Sequence, residues 1–175
     1  PRAQSQQVIG EDGVVTHKDL AALETNPAAF FTFEINTEGN DWIGSGELGD
    51  GIPADFFSDK HVRKAFAYSF DFQTYIEDAF LGQARKAPGP IPTAMKYFNE
   101  DQEMYSLDME KAEEHFKKAF GGSVDDPGKV WEEGFKLTIL YNSGNVTRQV
   151  AAQIWKEKIE SLNDGFQIDI AERKW

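Results

Sequence analysis

The chain has 175 residues, of which 40% are hydrophobic and 13% aromatic, and its formal net charge is −12. This length and apolar content favour a folded domain with a packed core over a disordered chain. The negative charge disfavours nucleic acid and anionic lipid as partners, because both repel it. The absence of cysteine excludes disulfides and thiolate chemistry, and no apolar run approaches the ~18 residues of a membrane span, so no direct membrane insertion is expected.

Residues 1–28 are interpreted as an N-terminal segment that precedes a domain over residues 29–175. Within the segment, Val8-Ile9 and Val14-Val15 flank a Glu-Asp-Gly turn and predict a small hairpin. A short helical stretch is predicted at 18–23, ahead of the breaker Asn26-Pro27.

The first strand of the domain is predicted at residues 29–37, where apolar and polar side chains alternate. The next stretch, residues 38–57, is a loop rich in Gly, Asp and Glu with isolated apolar anchors that include Trp42. Two interpretations of Trp42 stay open. It stacks on a ligand, or it pins the loop to the body of the domain.

Two consecutive amphipathic helices are predicted between Phe57 and Gly82, with a hinge at Asp71. Ser58 is the expected N-cap of the first helix and Asp71 that of the second. Both helices are rich in Phe and Tyr, and short helices of this kind are stable only when they cover an apolar surface. The strand at 29–37 is the candidate for that surface.

After an irregular segment that contains prolines, a third helix is predicted to begin at an Asp108 cap and to end at Gly121-Gly122. Its apolar face is predicted to include Phe116 and Phe120. Residues 123–133 are predicted to form a polar connector with a turn.

The last part of the chain predicts a strand at Phe135–Tyr141, a helix at Asn145–Leu162 and a strand at Phe166–Ile170. Strand, helix and strand at this spacing form a βαβ unit with parallel strands. The predicted fold class is therefore α/β with mixed elements: a small mixed sheet flanked by amphipathic helices, with this unit at its C-terminal end.

In parallel α/β units, ligands collect where the carboxyl end of a strand meets the next helix. Free backbone amides at the helix start favour an anion, Gly144 lets the loop backbone come close to it, and Arg148 can grip a carboxylate with two hydrogen bonds. The alternative is that Ser143 or Asn145 only caps the helix and that Arg148 is a solvated surface charge. The candidate ligand-binding residues of this loop are Tyr141, Asn142, Ser143, Asn145 and Arg148, to which Trp42 is added.

No motif predicts catalysis or a resident cofactor. The three histidines, His17, His61 and His115, lack metal-ligand spacing, and Ser143 lies in no nucleophile elbow. The acidic stretch around Asp50 lacks the regular pattern of a calcium loop. No catalytic residue, metal or cofactor is assigned, and the chain is not expected to be an enzyme.

Four phrases of the sequence, in this order, resemble one family. They are Phe33-Glu-Ile-Asn-Thr37, the stretch Ser58–Asp71 (with Val-Arg-x-Ala-Phe-Ala-Tyr-Ser-Phe-Asp), Tyr105-Ser-Leu-Asp-Met-Glu-Lys-Ala112, and Gly134–Asn145 (Gly-Phe-Lys-Leu-Thr-Ile-Leu-Tyr-Asn-Ser-Gly-Asn). Together with Gly89-Pro-Ile-Pro92 they resemble the extracytoplasmic solute-binding proteins of peptide/nickel-type ABC importers, over roughly residues 30–175.

The resemblance implies a fragment of the second lobe of a two-lobed receptor with a fold like that of type II periplasmic binding proteins. It implies a receptor outside the cytoplasm, periplasmic or lipid-anchored, that captures a peptide or similar small solute and delivers it to the membrane permease of an ABC importer. It places the 141–148 loop near the ligand cleft, where the loop can help to hold a peptide's C-terminal end. The rival interpretations are a non-catalytic acidic interaction domain and an α/β enzyme without a recognisable motif.

Overall fold

The computed structural model describes residues 7–9, 15–17, 47–87, 91, 95–99, 101–102 and 104–174. The chain divides into two units, Pro1–Asn36 and Thr37–Trp175. In the first unit, β1 (Gln7–Ile9) pairs antiparallel with β2 (Val15–His17), which confirms the strand pair of the predicted hairpin. The helix predicted at 18–23 and the strand predicted at 29–37 lie outside the described residues.

In the described part of the second unit, the first regular element is a 3-10 turn at Phe56–Ser58, and helix α1 (Lys60–Tyr68) follows it. The N-cap of α1 is Asp59, so the prediction of Ser58 was wrong. A carboxylate oxygen of Asp59, Oδ1, accepts the amides of His61 at 2.6 Å and Val62 at 3.3 Å. Ser58 instead ends the 3-10 turn, where its amide donates to a backbone carbonyl oxygen at 2.7 Å.

Helix α2 (Phe72–Phe80) begins at the predicted cap Asp71, whose Oδ1 accepts the Thr74 amide at 3.1 Å. The ring of Phe70 lies 5.4 Å from that of Tyr75 and staples the start of the helix. Both helices are thus confirmed, with the expected break between them.

Helix α3 (Met109–Lys118) is capped by Asp108 as predicted, and a 3-10 turn follows it at Ala119–Gly121. Because of this turn, Phe120 is 40% exposed, so its predicted place on the buried helix face was wrong. The predicted connector at 123–133 contains a five-residue helix, α4 (Lys129–Glu133), which has too few residues to show a periodic pattern.

The C-terminal βαβ unit is confirmed. Strand β3 (Phe135–Asn142), helix α5 (Val146–Glu160) and strand β4 (Phe166–Arg173) follow one another, and the two strands pair in parallel. The pairing starts with Phe135 opposite Phe166 and continues in unbroken register. The second strand is three residues longer than predicted.

The core of the second unit is built around the ring of Phe135, which is fully buried. Ring centroids of Phe166, Phe56 and Phe116 lie 4.6, 5.1 and 5.8 Å away. Helices α1 and α3 pack against each other over this cluster. Since an aromatic side chain removes a large apolar area from water, this cluster dominates the packing.

Three side chains of α5 anchor this helix to its neighbours. The Nε1–H of Trp155 donates to the Phe66 carbonyl oxygen of α1 at 2.9 Å. On the outer edge of β4, the amide of Ile168 donates to Glu160 at 2.8 Å, and its carbonyl oxygen accepts from Lys156 at 2.5 Å. Two side chains of α5 therefore satisfy backbone groups that would otherwise need another strand.

Candidate functional site

The loop between β3 and α5 lies at the carboxyl ends of the two parallel strands, where Asn142 is opposite Arg173. The amide of Ser143 donates to the Arg173 carbonyl oxygen at 2.9 Å, which ties the start of the loop to β4. The chain then turns tightly, because the Asn145 amide donates to the Asn142 carbonyl oxygen at 3.1 Å. Gly144 in this turn has a φ of +76°, which residues with a side chain rarely adopt.

Asn145 is the N-cap of α5. Its Oδ1 accepts the Arg148 amide at 3.0 Å and the Thr147 hydroxyl at 2.8 Å. Asn145 therefore caps the helix, and its contact with a ligand stays a prediction. Ser143 does not cap it, and its side chain is exposed.

Arg148 is exposed but not free, because its Nη1 donates to Asn142 Oδ1 at 2.9 Å. This bond joins the first turn of α5 to the last residue of β3 and holds the guanidinium group beside the loop. Among the described residues no hydrogen bond engages Nε or Nη2 of this arginine. A planar guanidinium edge of this kind can bind a carboxylate through two parallel hydrogen bonds.

The carboxylate of Glu172 already accepts a hydrogen bond from one amide of the loop backbone. Its Oε1 accepts the Gly144 amide at 3.1 Å. The Gly144 amide, which precedes the helix start, is therefore not available to a ligand anion. The space where a Cβ of residue 144 would stand is open, so the positive φ is what requires glycine here, and close approach of a ligand to Gly144 stays a prediction.

The structure brings four of the six predicted site residues together in this loop: Asn142, Ser143, Asn145 and Arg148. Tyr141 precedes them and is only 9% exposed, so its side chain belongs to the interior of the unit. Trp42 lies outside the described residues.

Sequence reasoning missed Glu172 and Arg173, because β4 was predicted to end at Ile170. The signal that could have found them is the parallel pairing itself. Once Phe135 is placed opposite Phe166, equal spacing along the two strands brings Glu172 and Arg173 beside the loop.

The loop thus combines the guanidinium group of Arg148 with the carboxylate of Glu172, in a chain of strongly negative charge. Among the described residues no basic side chain hydrogen-bonds the Ser143 hydroxyl, so nothing here activates it as a nucleophile. The arrangement suits recognition of an anionic or polar ligand by hydrogen bonds.

A strand–helix–strand unit that offers such a loop at the carboxyl ends of its strands is suited to ligand capture. The chain belongs to the bacterial extracellular solute-binding proteins of family 5: the model of that family's middle region matches residues 3–175. The oligopeptide-binding protein OppA of Bacillus subtilis is 22% identical over an alignment that covers 94% of this chain and 27% of OppA.

Two solved structures share the fold. The periplasmic binding protein DppA of Helicobacter pylori, in complex with the peptide STSA, is 23% identical with a TM-score of 0.56, and the match covers 69% of this chain and 21% of DppA. The oligopeptide-binding protein AppA of Bacillus subtilis, in complex with a nonapeptide, is 18% identical with a TM-score of 0.54, and the match covers 69% of this chain and 24% of AppA. The match to these relatives therefore spans about a quarter of their length.

None of the helices in the described part of the chain combines the length and the apolar character that crossing a bilayer requires.

Proposed function

We propose that this chain is the part of an extracytoplasmic receptor that helps to capture a peptide and deliver it to the permease of an ABC importer. The family supports the class of activity, because its members are extracellular solute-binding proteins. Peptide as the solute is supported by OppA, named as an oligopeptide-binding protein, and by the relatives whose structures contain bound peptides. The function is capture without chemistry.

The observation that carries the proposal at the level of residues is the Asn142–Arg148 pair at the carboxyl end of β3. The hydrogen bond of 2.9 Å fixes the guanidinium group in place before a ligand arrives. A preorganised group loses less conformational entropy on binding than a mobile one. The Nε–Nη2 edge of Arg148 then binds the ligand's terminal carboxylate, with the exposed Ser143 hydroxyl as a neighbouring donor.

Glu172 restricts where that carboxylate goes. Its own carboxylate already holds the Gly144 amide at 3.1 Å, so a second anion at this amide meets like charge. The ligand carboxylate is therefore directed to Arg148 rather than to the Gly144 backbone.

The test uses the protein that carries this chain at its full natural length. Peptides of three to five residues are titrated calorimetrically in two forms, with a free C-terminal carboxylate and with a C-terminal amide. Arg148→Gln is expected to weaken binding of the free acids about 10- to 100-fold, because a hydrogen bond to a charged group contributes about 1.5–3 kcal/mol. The amides are expected to bind the variant and the unmodified protein almost equally.

Lys129→Gln is the matched control. It removes one exposed positive charge from α4, beside the amino end of β3. Because β3 is about 25 Å long, this end of the strand is far from the loop at its carboxyl end. This variant should bind both peptide forms as the unmodified protein does. Equal weakening by both variants would show a general charge effect and contradict the assignment of Arg148. A full-length protein that binds no peptide would contradict the proposed function itself.

A further inference from the structure

Helices α1 and α3 meet through two histidine side chains. His61 is the second residue of α1, and His115 lies in the second half of α3. Their Nδ1 atoms are 2.9 Å apart, and their ring centroids are 5.0 Å apart. Each Nδ1 lies about 1.1 Å from the centre of its ring. Twice this length added to the 2.9 Å between the nitrogens is close to the centroid distance of 5.0 Å, so the two nitrogens point nearly at each other.

This geometry limits how many protons the pair can hold. A hydrogen bond between two Nδ1 atoms needs one proton between them, so one ring donates and the other accepts with a bare Nδ1. A first additional proton can bind at the Nε2 of the donating ring and leaves the bond intact. A second must bind at the accepting Nδ1, and two N–H groups then face each other at hydrogen-bond distance.

The surroundings of the pair also oppose a second positive charge. The ring of His115 stacks on Tyr68, with 5.7 Å between centroids and 16° between planes. Burial, then the neighbouring His61 and then Lys64, hold the pKa of His115 below its ordinary value of 6.5, although Glu114 acts in the opposite direction. The charged and titratable groups around the pair or its stacking partner are Asp59, Lys64, Tyr68, Tyr105, Lys111, Glu114 and Lys118.

The contact that the pair closes covers a buried interface. Val62 and Ala65 of α1 and Ala112 and Phe116 of α3 are fully buried. Just outside the pair, Oδ2 of Asp59 accepts the Phe120 amide at 2.9 Å and makes a second link between the start of α1 and the end of α3. Separation of the two histidines would therefore expose apolar surface and weaken the packing of both helices.

We propose that the His61–His115 pair is a proton-sensitive latch that holds α1 against α3 at neutral pH and releases part of this contact in mildly acidic medium. The latch needs neither a ligand nor the proposed function. It follows from the positions of two side chains on facing helices.

The sign of the effect follows from linkage. His115 binds a proton less readily in the folded chain than in the unfolded chain, so its contribution to stability is complete above about pH 6.5 and is lost as the pH falls through the folded pKa. Asp59 also has a lowered pKa. Burial raises that pKa, but hydrogen bonds from the amides of Phe120, His61 and Val62 lower it more, so the contribution of Asp59 is lost only below about pH 4. Measurements between pH 5 and 7.5 therefore separate the contribution of His115 from that of Asp59.

The test compares thermal unfolding of the 175-residue chain with that of three variants. His115→Asn and His61→Asn each keep a polar atom near the position of Nδ1 but cannot titrate. His17→Asn is the matched control, because it removes the remaining histidine, which belongs to the other unit. On acidification from pH 7.5 to 5, the Tm of the unmodified chain and of His17→Asn is expected to fall by about 3 °C more than that of His115→Asn, and His61→Asn, which keeps the buried His115, is expected to lie between them.

A second readout is independent of how well a variant folds. Proton NMR of the imidazole Cε1–H signals in the unmodified chain should show one of the two latch histidines titrating below pH 6.5. In His61→Asn, His115 should titrate closer to its ordinary value. An equal loss of Tm in all four proteins, or two latch histidines that titrate independently at ordinary values, would overturn the proposal.

Discussion

Replacement of Asp59 by alanine tests the account of how α1 and α3 are held together. One carboxylate oxygen of Asp59 accepts two amides at the start of α1, and the other accepts the Phe120 amide, 61 residues further along the chain. The side chain is therefore both an N-cap and a cross-link between two helices. Ser58, the residue chosen from sequence, makes neither contact with its side chain.

The magnitude follows from these two roles. Loss of an aspartate N-cap costs about 1 kcal/mol of unfolding free energy. Loss of the charged acceptor of the Phe120 amide costs about 1 kcal/mol more. This value is at the low end of the cost of an unsatisfied hydrogen-bond donor, because Phe120 is 40% exposed and water can replace part of the bond. Asp59→Ala is thus expected to destabilise the chain by about 2 kcal/mol, and Asp59→Ser, which keeps the cap but cannot reach Phe120, by about half of that.

The assay is urea unfolding followed by tryptophan fluorescence and far-ultraviolet circular dichroism at pH 7. Ser58→Ala is the control and should change the unfolding free energy by less than about 0.5 kcal/mol, because its side chain is exposed. The reasoning is refuted if Ser58→Ala costs as much as Asp59→Ala, or if the alanine and serine variants of Asp59 are equally stable.

Two further predictions concern the backbone around the parallel strands. Gly134→Ala should destabilise the chain by at least about 3 kcal/mol or prevent folding, because φ is +73° and the new Cβ collides with the Gly165 carbonyl oxygen. The control is Gly82→Ala, which should cost only about 1 kcal/mol because Gly82 has a similar φ of +74° but open space around it. Equal costs in chemical denaturation would contradict this. Glu160→Ala should cost about 1–3 kcal/mol, because it leaves the buried Ile168 amide without its acceptor at 2.8 Å, while Glu160→Gln should retain most of the stability. A glutamine variant as unstable as the alanine variant would count against that role.

Helix starts were predictable wherever one capping residue stood alone. Asp71 and Asp108 each lack an adjacent second capping residue, and both cap as predicted. At α1 two adjacent residues were both good caps. Asp59 caps α1 because Ser58 is the last residue of the preceding 3-10 turn. Local propensity does not reveal this turn.

The candidate site was predictable in its location but not in its contacts. The pattern of strand, polar loop and helix indicated the loop near Asn142, because that pattern depends on residues close in sequence. The contact of Glu172 with Gly144 joins residues 28 positions apart, and the His61–His115 contact joins residues 54 positions apart. Such pairs depend on strand register and helix packing, which one sequence does not specify by its periodicity.

The most direct test of the receptor account is amide hydrogen exchange of the full-length protein with and without a bound peptide. We expect ligand to slow exchange at residues 142–149, where the loop and the first turn of α5 carry the proposed contacts, and to leave the amides of α1 unchanged. Protection confined to other parts of the chain, with no change at this loop, would contradict the claim that the carboxyl end of β3 faces the ligand.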